Sequence, residues 1–466
     1  MQHHLVWFRE DLRTKDHTAL AAACLSEHPV TAVYQRTPET WASFDIGTNR
    51  LAYTEQLLNS LYHELNSLNI PLHVQTTTYD GAAEMLADLC KTLGITHLHF
   101  NRQYEILERR RDYAVRTRLT DQSIACIEYD DLCLLPPGSV LTAQGTPYTV
   151  FSPFKKRWLE TYRHAGQGPF RKPAPIPHAR TFPSMSAVSH TPESDIHCWA
   201  ITEDDALARL EAFCQEGVLH YDSQRNAPAL PGTSQLSPYL ARGLLSPRQC
   251  IAAAERALNR SIHEFPSESF GWVNELIWRD FYKHLLVAFP RLSKNRAFRP
   301  ETEKLAWRND PKEIERFMSA TTGIPIIDAG ISELTSTGWM HNRVRMIVAQ
   351  FLTKNLLVDW RIGEAFFMRY LLDSDLAANN GGWQWSASTG TDAAPYFRVF
   401  NPVSQSQAHD PDGIYLTRYL PVLSALPPKA RHAPWMAPHG LDYPAPMVDL
   451  KATRQRAIDA FKGLSS

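Results

Sequence analysis

The chain has 466 residues, 44% hydrophobic and 21% charged, a composition that suits globular domains and excludes wholesale disorder. Its 48 Lys and Arg against 49 Asp and Glu leave a formal charge of −1, so the basic excess of a nonspecific nucleic-acid coat is missing. No apolar run approaches the roughly 18 residues of a membrane helix, and the N-terminus, MQHHLVWFREDLR, becomes charged too early for a signal peptide. The seven Cys are scattered without a CxxC spacing and read as reduced thiols of a cytosolic protein.

Over the first 130 or so residues, short apolar runs alternate with amphipathic stretches. HLVWF (4–8), VTAVY (30–34), PLHVQ (71–75), THLHF (96–100) and SIACIEY (123–129) predict strands. Between them HTALAAACL, NRLAYTEQLLNSLYHELNSL, GAAEMLADLCKTLG and EILERRRDYAVRTRL carry apolar residues at helical spacing. This alternation predicts a doubly wound parallel sheet over residues 1–131. The first strand runs into REDLRTKD in place of a GxGxxG, so no dinucleotide fingerprint is present. Residues 132–200 are rich in Pro and Ser (PPGS, GTPY, KPAPIPHAR, FPSMSAVSHTPESD) around one helix-like piece, FKKRWLETYRH, and predict a long interdomain linker. From residue 201 to 466 the pattern is helical, with a single continuous stretch predicted over NRVRMIVAQFLTKNLLVDW (342–360). Seven of the twelve Trp fall between Trp272 and Trp385, a density suggesting an aromatic site as well as a core.

Four segments of the helical half resist a purely structural explanation. Tyr221 and, further on, Thr233, Ser234 and Ser237 cluster where a helix would start, so hydroxyls and free N–H groups could hold phosphate, although an ordinary capped turn uses the same residues. Glu275, Trp278 and Arg279 share a helix face with Trp272 and Tyr282 nearby; Glu275–Arg279 could be a plain surface pair, but a carboxyl beside indoles tends towards a raised pKa. Asn342, Arg345 and Met346 share a face, while His341 reads as a helix-start residue because no His/Cys set completes a metal site. The stretch Asp373–Tyr396, through Asn379, Trp383 and Trp385, is small, amide, acidic or aromatic at nearly every position, which suits a ligand enclosure.

Together LVWFREDLR, NELIWRDFY, STGWMHNRVRM, DWRIGEAFFM and DLAANNGGWQWSASTGTDAAPYFRVFNP resemble the photolyase/cryptochrome family, within it the bacterial class I cyclobutane pyrimidine dimer photolyases, and the likeness covers nearly the whole chain. The resemblance implies an α/β antenna domain, a linker and an all-α FAD-binding domain. It implies light-driven repair of dimers flipped out of UV-damaged DNA, with reduced anionic FAD giving an electron and regaining it. By matching position, Tyr221, Thr233, Ser234, Gln235, Leu236, Ser237, Trp272, Asp373, Ser374 and Asp375 would contact FAD. Arg345 and Asp373 would pair beside the flavin, and Asn379 would accept from or donate to its N5. Trp278 and Trp385 would wall the dimer pocket, with Glu275 hydrogen-bonding a pyrimidine and Asn342, Arg343 and Met346 touching the dimer or backbone. Arg225 and Arg398 would meet phosphates, and Arg279 and Tyr282 are expected in the same DNA-contacting group. Trp307, Trp360 and Trp383 would carry electrons to the flavin.

The antenna pattern is incomplete: Phe44 stands where folate-binding relatives have His, and Leu107 stands where an Asn precedes the acidic residue, while Glu108 and Lys294 are retained. 5,10-Methenyltetrahydrofolate leads a deazaflavin, a second flavin or no antenna. Other readings are a (6-4) photolyase, whose two pocket His would fall at Asn342 and Met346, a cryptochrome-like photoreceptor, and a non-enzymatic nucleotide-binding protein built on the α/β half. A cytoplasmic monomer is expected, without membrane or metal.

Overall fold

The computed structural model describes residues 2–165, 168–177, 183, 185–186, 188–437 and 441–464; parts of the two Pro- and Ser-rich stretches at 172–180 and 182–195 lie outside them. Five parallel strands, β1 (His4–Phe8), β2 (Val30–Arg36), β3 (Leu72–Thr76), β4 (His97–Asn101) and β5 (Ala125–Tyr129), form one sheet in the order β3-β2-β1-β4-β5. The central strands β1 and β2 are buried along their full length, as expected when helices cover both faces. Alternate side chains feed two cores: Leu5 and Trp7 join Leu86, Phe100 and Val115 on one face. Val6 and Phe8 on the other join a core that continues through Trp158 to Tyr239 and Val273 of the helical half. The chain winds outwards from β1 through β2 to β3 and then crosses back to β4 on the other side of β1, so the carboxyl ends of β1 and β4 form the crevice where such sheets take ligands.

After β5 the chain straps across the molecule until the helix Glu203–Ala212. This strap is anchored, not loose: it contains the helix Phe151–Ala165 and buries Leu135, Val140, Phe151, Phe154, Trp158, Ile196 and Trp199. Buried Asp280 accepts from Leu134 N, Leu135 N and Trp158 Nε1 at 3.0–3.2 Å, so one carboxylate satisfies a segment with little regular structure.

The halves meet through charge. Glu10, just past β1, pairs with Arg50 at 2.9 Å and with buried Arg242 at 2.6 Å. Arg248 bridges Asp16 at 3.1 Å and Asp131 at 2.5 Å, and Arg13 also contacts Asp131. Arg13 and Arg248 hold the buried Asp131 carboxyl far below the ordinary range against the opposing effect of burial.

The continuous helix predicted over 342–360 is divided. Asn342–Gln350 is α-helical, Phe351–Asn355 is a π turn, and a new helix runs Trp360–Tyr370. Leu357 adopts φ 54°, reversing the chain, and Asp359 caps the new helix by accepting from Arg361 N at 3.0 Å. Trp360 therefore opens a helix instead of extending one.

Candidate active site and nucleic-acid face

Three helices carry many of the candidate residues: Ser267–Ala288 and Asn342–Gln350, which both pack on Leu376–Ala387. The last begins where Asp375 accepts from Ala378 N at 3.1 Å. Along it Asn379, Gly382 and Trp385 follow at three-residue spacing and share one face. A Cβ added at Gly382 would meet nothing within 4 Å, so open space lies against the helix between the amide and the indole. Asn379 is buried, and its Nδ2 donates to the Glu364 carbonyl at 3.0 Å, leaving the amide oxygen for a donor. Glu364 is itself pushed up to about 7 by burial, against the hydrogen bond from Asn380.

Arg345 grips Asp373 with two bonds of 2.8 and 3.2 Å and also donates to the Met340 carbonyl at 2.7 Å. That two-pronged geometry fixes both side chains. His341 caps this helix by accepting from Arg343 N at 3.2 Å. Its imidazole is pushed down to about 4 by burial and by Arg345, Arg343, His409 and Arg225 around it. It is thus the helix-start His expected, and no metal-binding group of His, Cys, Asp and Glu occurs among the described residues.

Glu275 does not pair with Arg279. It pairs with Arg225 at 2.7 Å, and the Arg225 guanidinium lies over the Tyr221 ring, 5.1 Å from its centroid. Burial raises the Glu275 carboxyl above its ordinary range, Arg225 opposes the rise, and Asp222 adds to it. Arg343 donates to Asn226 Oδ1 at 2.6 Å, and burial together with Arg225 and Arg398 pushes its guanidinium down. Arg225, Arg343 and exposed Arg398 therefore share one cationic face with Glu275 at its edge, next to exposed Asn342 and half-buried Met346. Trp278 borders it, stacked on Phe151 with centroids 3.6 Å apart and planes 6° apart. Tyr282 lies beside Trp278, with centroids 5.6 Å and planes 31° apart, and so close to Gly381 that a Cβ there would reach 2.2 Å from the ring.

Arg279 departs from the expectation. It donates to the carbonyls of Leu132 and, at 3.4 Å, Leu240, because it leaves the helix on the side that faces the sheet domain. There it lines a cavity of about 340 Å³ between the halves, with Lys283, Ser374, Asp375 and Arg242. The same cavity reaches Trp41, Phe44, Tyr79, Leu107 and Glu108 of the α/β half. Glu108 accepts from Tyr79 Oη at 2.8 Å, and burial plus the neighbouring Glu105 carboxylate push it up to about 7. Lys294 is exposed on the 3₁₀ turn Leu292–Lys294, between the lining residues Ser293 and Asn295.

The hydroxyl cluster is braced by indoles. Trp272 Nε1 donates to Ser234 Oγ at 3.3 Å and Trp339 Nε1 to Ser237 Oγ at 3.1 Å. Gln235 holds φ 51° and accepts from Arg209, while half-buried Thr233 precedes it and buried Leu236 follows. The helix that follows, Ser237–Ala241, has only five residues, so the N-terminal dipole expected here is short and the side-chain hydroxyls are the stronger anchors.

Trp360 and Trp383 are buried in one core, and Trp307 packs against it. Trp383 lies over Gly363, where a Cβ would come within 2.1 Å of the indole, and the Arg361 guanidinium sits 4.6 Å from the Trp360 centroid. Tertiary packing thus gathers three residues far apart in sequence. Lys283, bonded to Asp375 at 2.5 Å, and Tyr79 were not singled out from sequence. The lone cation in the apolar run FYKHLLVAF was the available signal for the first, and a Tyr in a surface-like YDG turn gave none for the second.

The chain is similar to known proteins along nearly its whole length. Residues 272–463 match the family model described as the FAD binding domain of DNA photolyase, and residues 4–178 match that of DNA photolyase. The chain is 42% identical to the deoxyribodipyrimidine photo-lyase of Escherichia coli strain K12 over 99% of each sequence. It is 43% identical to that of Vibrio cholerae over 98% of this chain and 99% of the relative. Among solved structures it resembles a bacterial class III photolyase from Agrobacterium tumefaciens (TM-score 0.90, 32% identity, 100% of this chain and 98% of that one). It also resembles a cryptochrome from Synechocystis sp. PCC6803 (TM-score 0.85, 27% identity, 99% of each chain).

Proposed function

The chain belongs to the DNA photolyase family and carries out light-dependent repair of cyclobutane pyrimidine dimers in DNA with FAD; we propose that the residues gathered at the arginine face and along the Leu376–Ala387 helix perform it. The observation that carries this assignment of residues is the row Asn379, Gly382, Trp385, with open space against Gly382 and, on the neighbouring helices, the Arg345–Asp373 pair and Glu275. The open space at Gly382 lets a flat ring system approach the helix closely, and the polar groups around that gap suit a flavin. Bound FAD in its reduced form supplies the light-excited electron that opens the cyclobutane ring and takes it back, with no net redox change.

The protein's own residues set the conditions. Asn379, its Nδ2 committed to Glu364, offers an oxygen that accepts an N–H such as that at flavin N5. Arg345 and Asp373 hold one another in place and present a cation beside the flavin. Ser234, Ser237 and Tyr221 hold its phosphates and ribityl chain. Glu275, held against Arg225 at 2.7 Å, hydrogen-bonds a pyrimidine of the dimer, and Arg225 counters negative charge on the dimer. Trp278 and Trp385 stack on the flipped bases and exclude water. Arg225, Arg343 and Arg398 take phosphates, which positions the strand without reading it.

The cavity between the halves takes the antenna, with 5,10-methenyltetrahydrofolate the leading chromophore. One chain supplies every part of the site, consistent with a monomer, and no helix among the described residues is long and apolar enough to cross a membrane, consistent with a cytoplasmic enzyme.

The test is repair of a thymine-dimer oligonucleotide by the reduced holoprotein, in light and in the dark. Light-dependent loss of the dimer is expected. Bound FAD without repair of this lesion would overturn the reading and favour a cryptochrome-like photoreceptor or a (6-4) enzyme.

A further inference from the structure

Trp278 and Trp385 stand on different helices, Ser267–Ala288 and Leu376–Ala387, so something must set the gap between them. Direct packing of the helices is one determinant. A second connection runs through the linker. After Trp385 the chain turns at Ser388, where φ is 62°, and folds back so that Ala394 N donates to the Trp385 carbonyl at 3.2 Å. Ser388 Oγ donates to the Ala394 carbonyl at 2.6 Å and closes the loop. Two residues of that loop then hold the linker: Thr391 Oγ1 donates to the Thr149 carbonyl, and Asp392 Oδ2 accepts from Phe151 N at 3.1 Å. Phe151, buried and opening the helix Phe151–Ala165, stacks flat on Trp278 at 3.6 Å. The path from one indole to the other is therefore closed: Trp385, the 388–394 loop, residues 149–151, Trp278.

The stack itself is informative. Aromatic pairs generally prefer offset or edge-on arrangements with centroids about 4.5–7 Å apart, and Phe151 meets Phe281 in that ordinary way, edge-on at 5.7 Å. The near-eclipsed overlap with Trp278 covers one face of the indole with phenyl, and the neighbouring edges are taken by Phe281 and Tyr282. A base can then reach the indole only from the side that the linker does not cover.

We propose that the linker segment 149–151 is a part of the lesion pocket that sets its width, with Phe151 and Asp392 acting as positioning residues for Trp278 and Trp385. The inference rests on the assignment of these two indoles to the dimer. A Phe151 ring that slides or tilts lets Trp278 follow, and the gap then ceases to match two bases held together by the cyclobutane ring. Undamaged DNA, which leaves its bases in the stack, does not depend on that gap.

The experiment uses full-length holoprotein with Phe151→Leu, Phe151→Tyr, Asp392→Ala, the double variant Phe151→Leu/Asp392→Ala, and Trp278→Phe as reference. Dissociation constants are measured in the dark for a thymine-dimer oligonucleotide and for its undamaged twin, with flavin content and melting temperature alongside. Loss of a well-formed aromatic pair corresponds to roughly three- to tenfold in affinity. Phe151→Leu should weaken dimer binding by about that factor, leave undamaged DNA and flavin content unchanged, and be rescued by Phe151→Tyr. The double variant should lose less than the product of the single losses, because both act through one connection. Equal weakening for both DNAs, or dimer affinity kept by Phe151→Leu while Trp278→Phe loses it, would overturn the positioning role alone. No effect from Trp278→Phe either would overturn the lesion pocket and the inference with it.

Discussion

The cavity between the halves and the arginine face handle charge in opposite ways. In the cavity nearly every ion named above has an opposite partner: Glu10 lies between Arg50 and Arg242, Lys283 meets Asp375, and Arg361 meets Asp359 and Glu303. On the face burial, with Arg225 and Arg398 close by, depresses the Arg343 guanidinium, and Glu275 is the acid set against them. A chain of net charge −1 thus builds a cationic surface by neutralising its charges internally. The lesson is that net charge speaks to nonspecific attraction over the whole surface and leaves local recognition open.

If the two regions are separate devices joined by the Leu376–Ala387 helix, damage to one should spare the other. The largest effect is expected from the proposed electron route through Trp307, Trp360 and Trp383 to the flavin. Trp307→Phe should abolish photoreduction of oxidised flavin, read by its absorbance under blue light, while chemically reduced protein still binds and repairs the dimer. Photoreduction at the original rate would place the route elsewhere. Asp373→Ala should come next. It leaves Arg345, which retains 24% exposure, without its carboxylate; discounting the usual cost of a broken buried pair for that exposure gives about 2 kcal/mol, or roughly 30-fold weaker flavin retention. Flavin-free protein should keep its salt-sensitive binding to undamaged DNA, and loss of both together would show that the flavin site and the arginine face are not separable.

Glu108, like Arg279, lines the cavity outside these ion pairs, and it offers a sharper test by pH. Its carboxyl titrates near 7 in the fold because of burial and Glu105, against about 4.3 in an unfolded chain. The folded state therefore keeps a proton that the unfolded state gives up, so its contribution to stability is complete below about pH 4 and is lost as pH rises through 7. Glu108→Gln should flatten that loss: thermal melts at pH 5 and pH 8 should lie closer together in the variant, by the equivalent of about 1–2 kcal/mol after allowing for solvent screening. Melts that remain as far apart would mean that Glu108 is ionised in the fold.

How much of this was legible depends on where the determining signal sits. The sheet followed from period-two and buried apolar runs, HLVWF and VTAVY, which local chemistry dictates. The break at Leu357 did not, because apolar spacing continues smoothly through LTKNLLVDW and only the cap at Asp359 announces the new helix. At the site, the resemblance selected Glu275, Arg345 and Asp373, and the Arg345–Asp373 pair is present. Which cation meets Glu275 was beyond helical spacing, which offered Arg279; tertiary packing brought Arg225 from another helix and sent Arg279 to the Leu132 and Leu240 carbonyls. Phe151 carried no signal at all, since a Phe at the start of an amphipathic linker helix reads as core until its partner is known.

The smallest effect tests the face by itself. Each phosphate neutralised by a cation releases counterions, so log K falls with log salt by about 0.9 per contact on duplex DNA. Arg398→Ala should therefore weaken binding to undamaged duplex only a few-fold, yet reduce the salt slope by about one. Arg102→Ala removes an exposed cation that the sheet domain pairs with Glu128 and Asp130, and its slope should match the parent. A slope unchanged by Arg398→Ala would remove that residue from the phosphate path. A slope reduced by both variants would mean that the duplex lies across the sheet domain as well, and the division between a neutralised interior and a cationic face would have to be drawn at a different boundary.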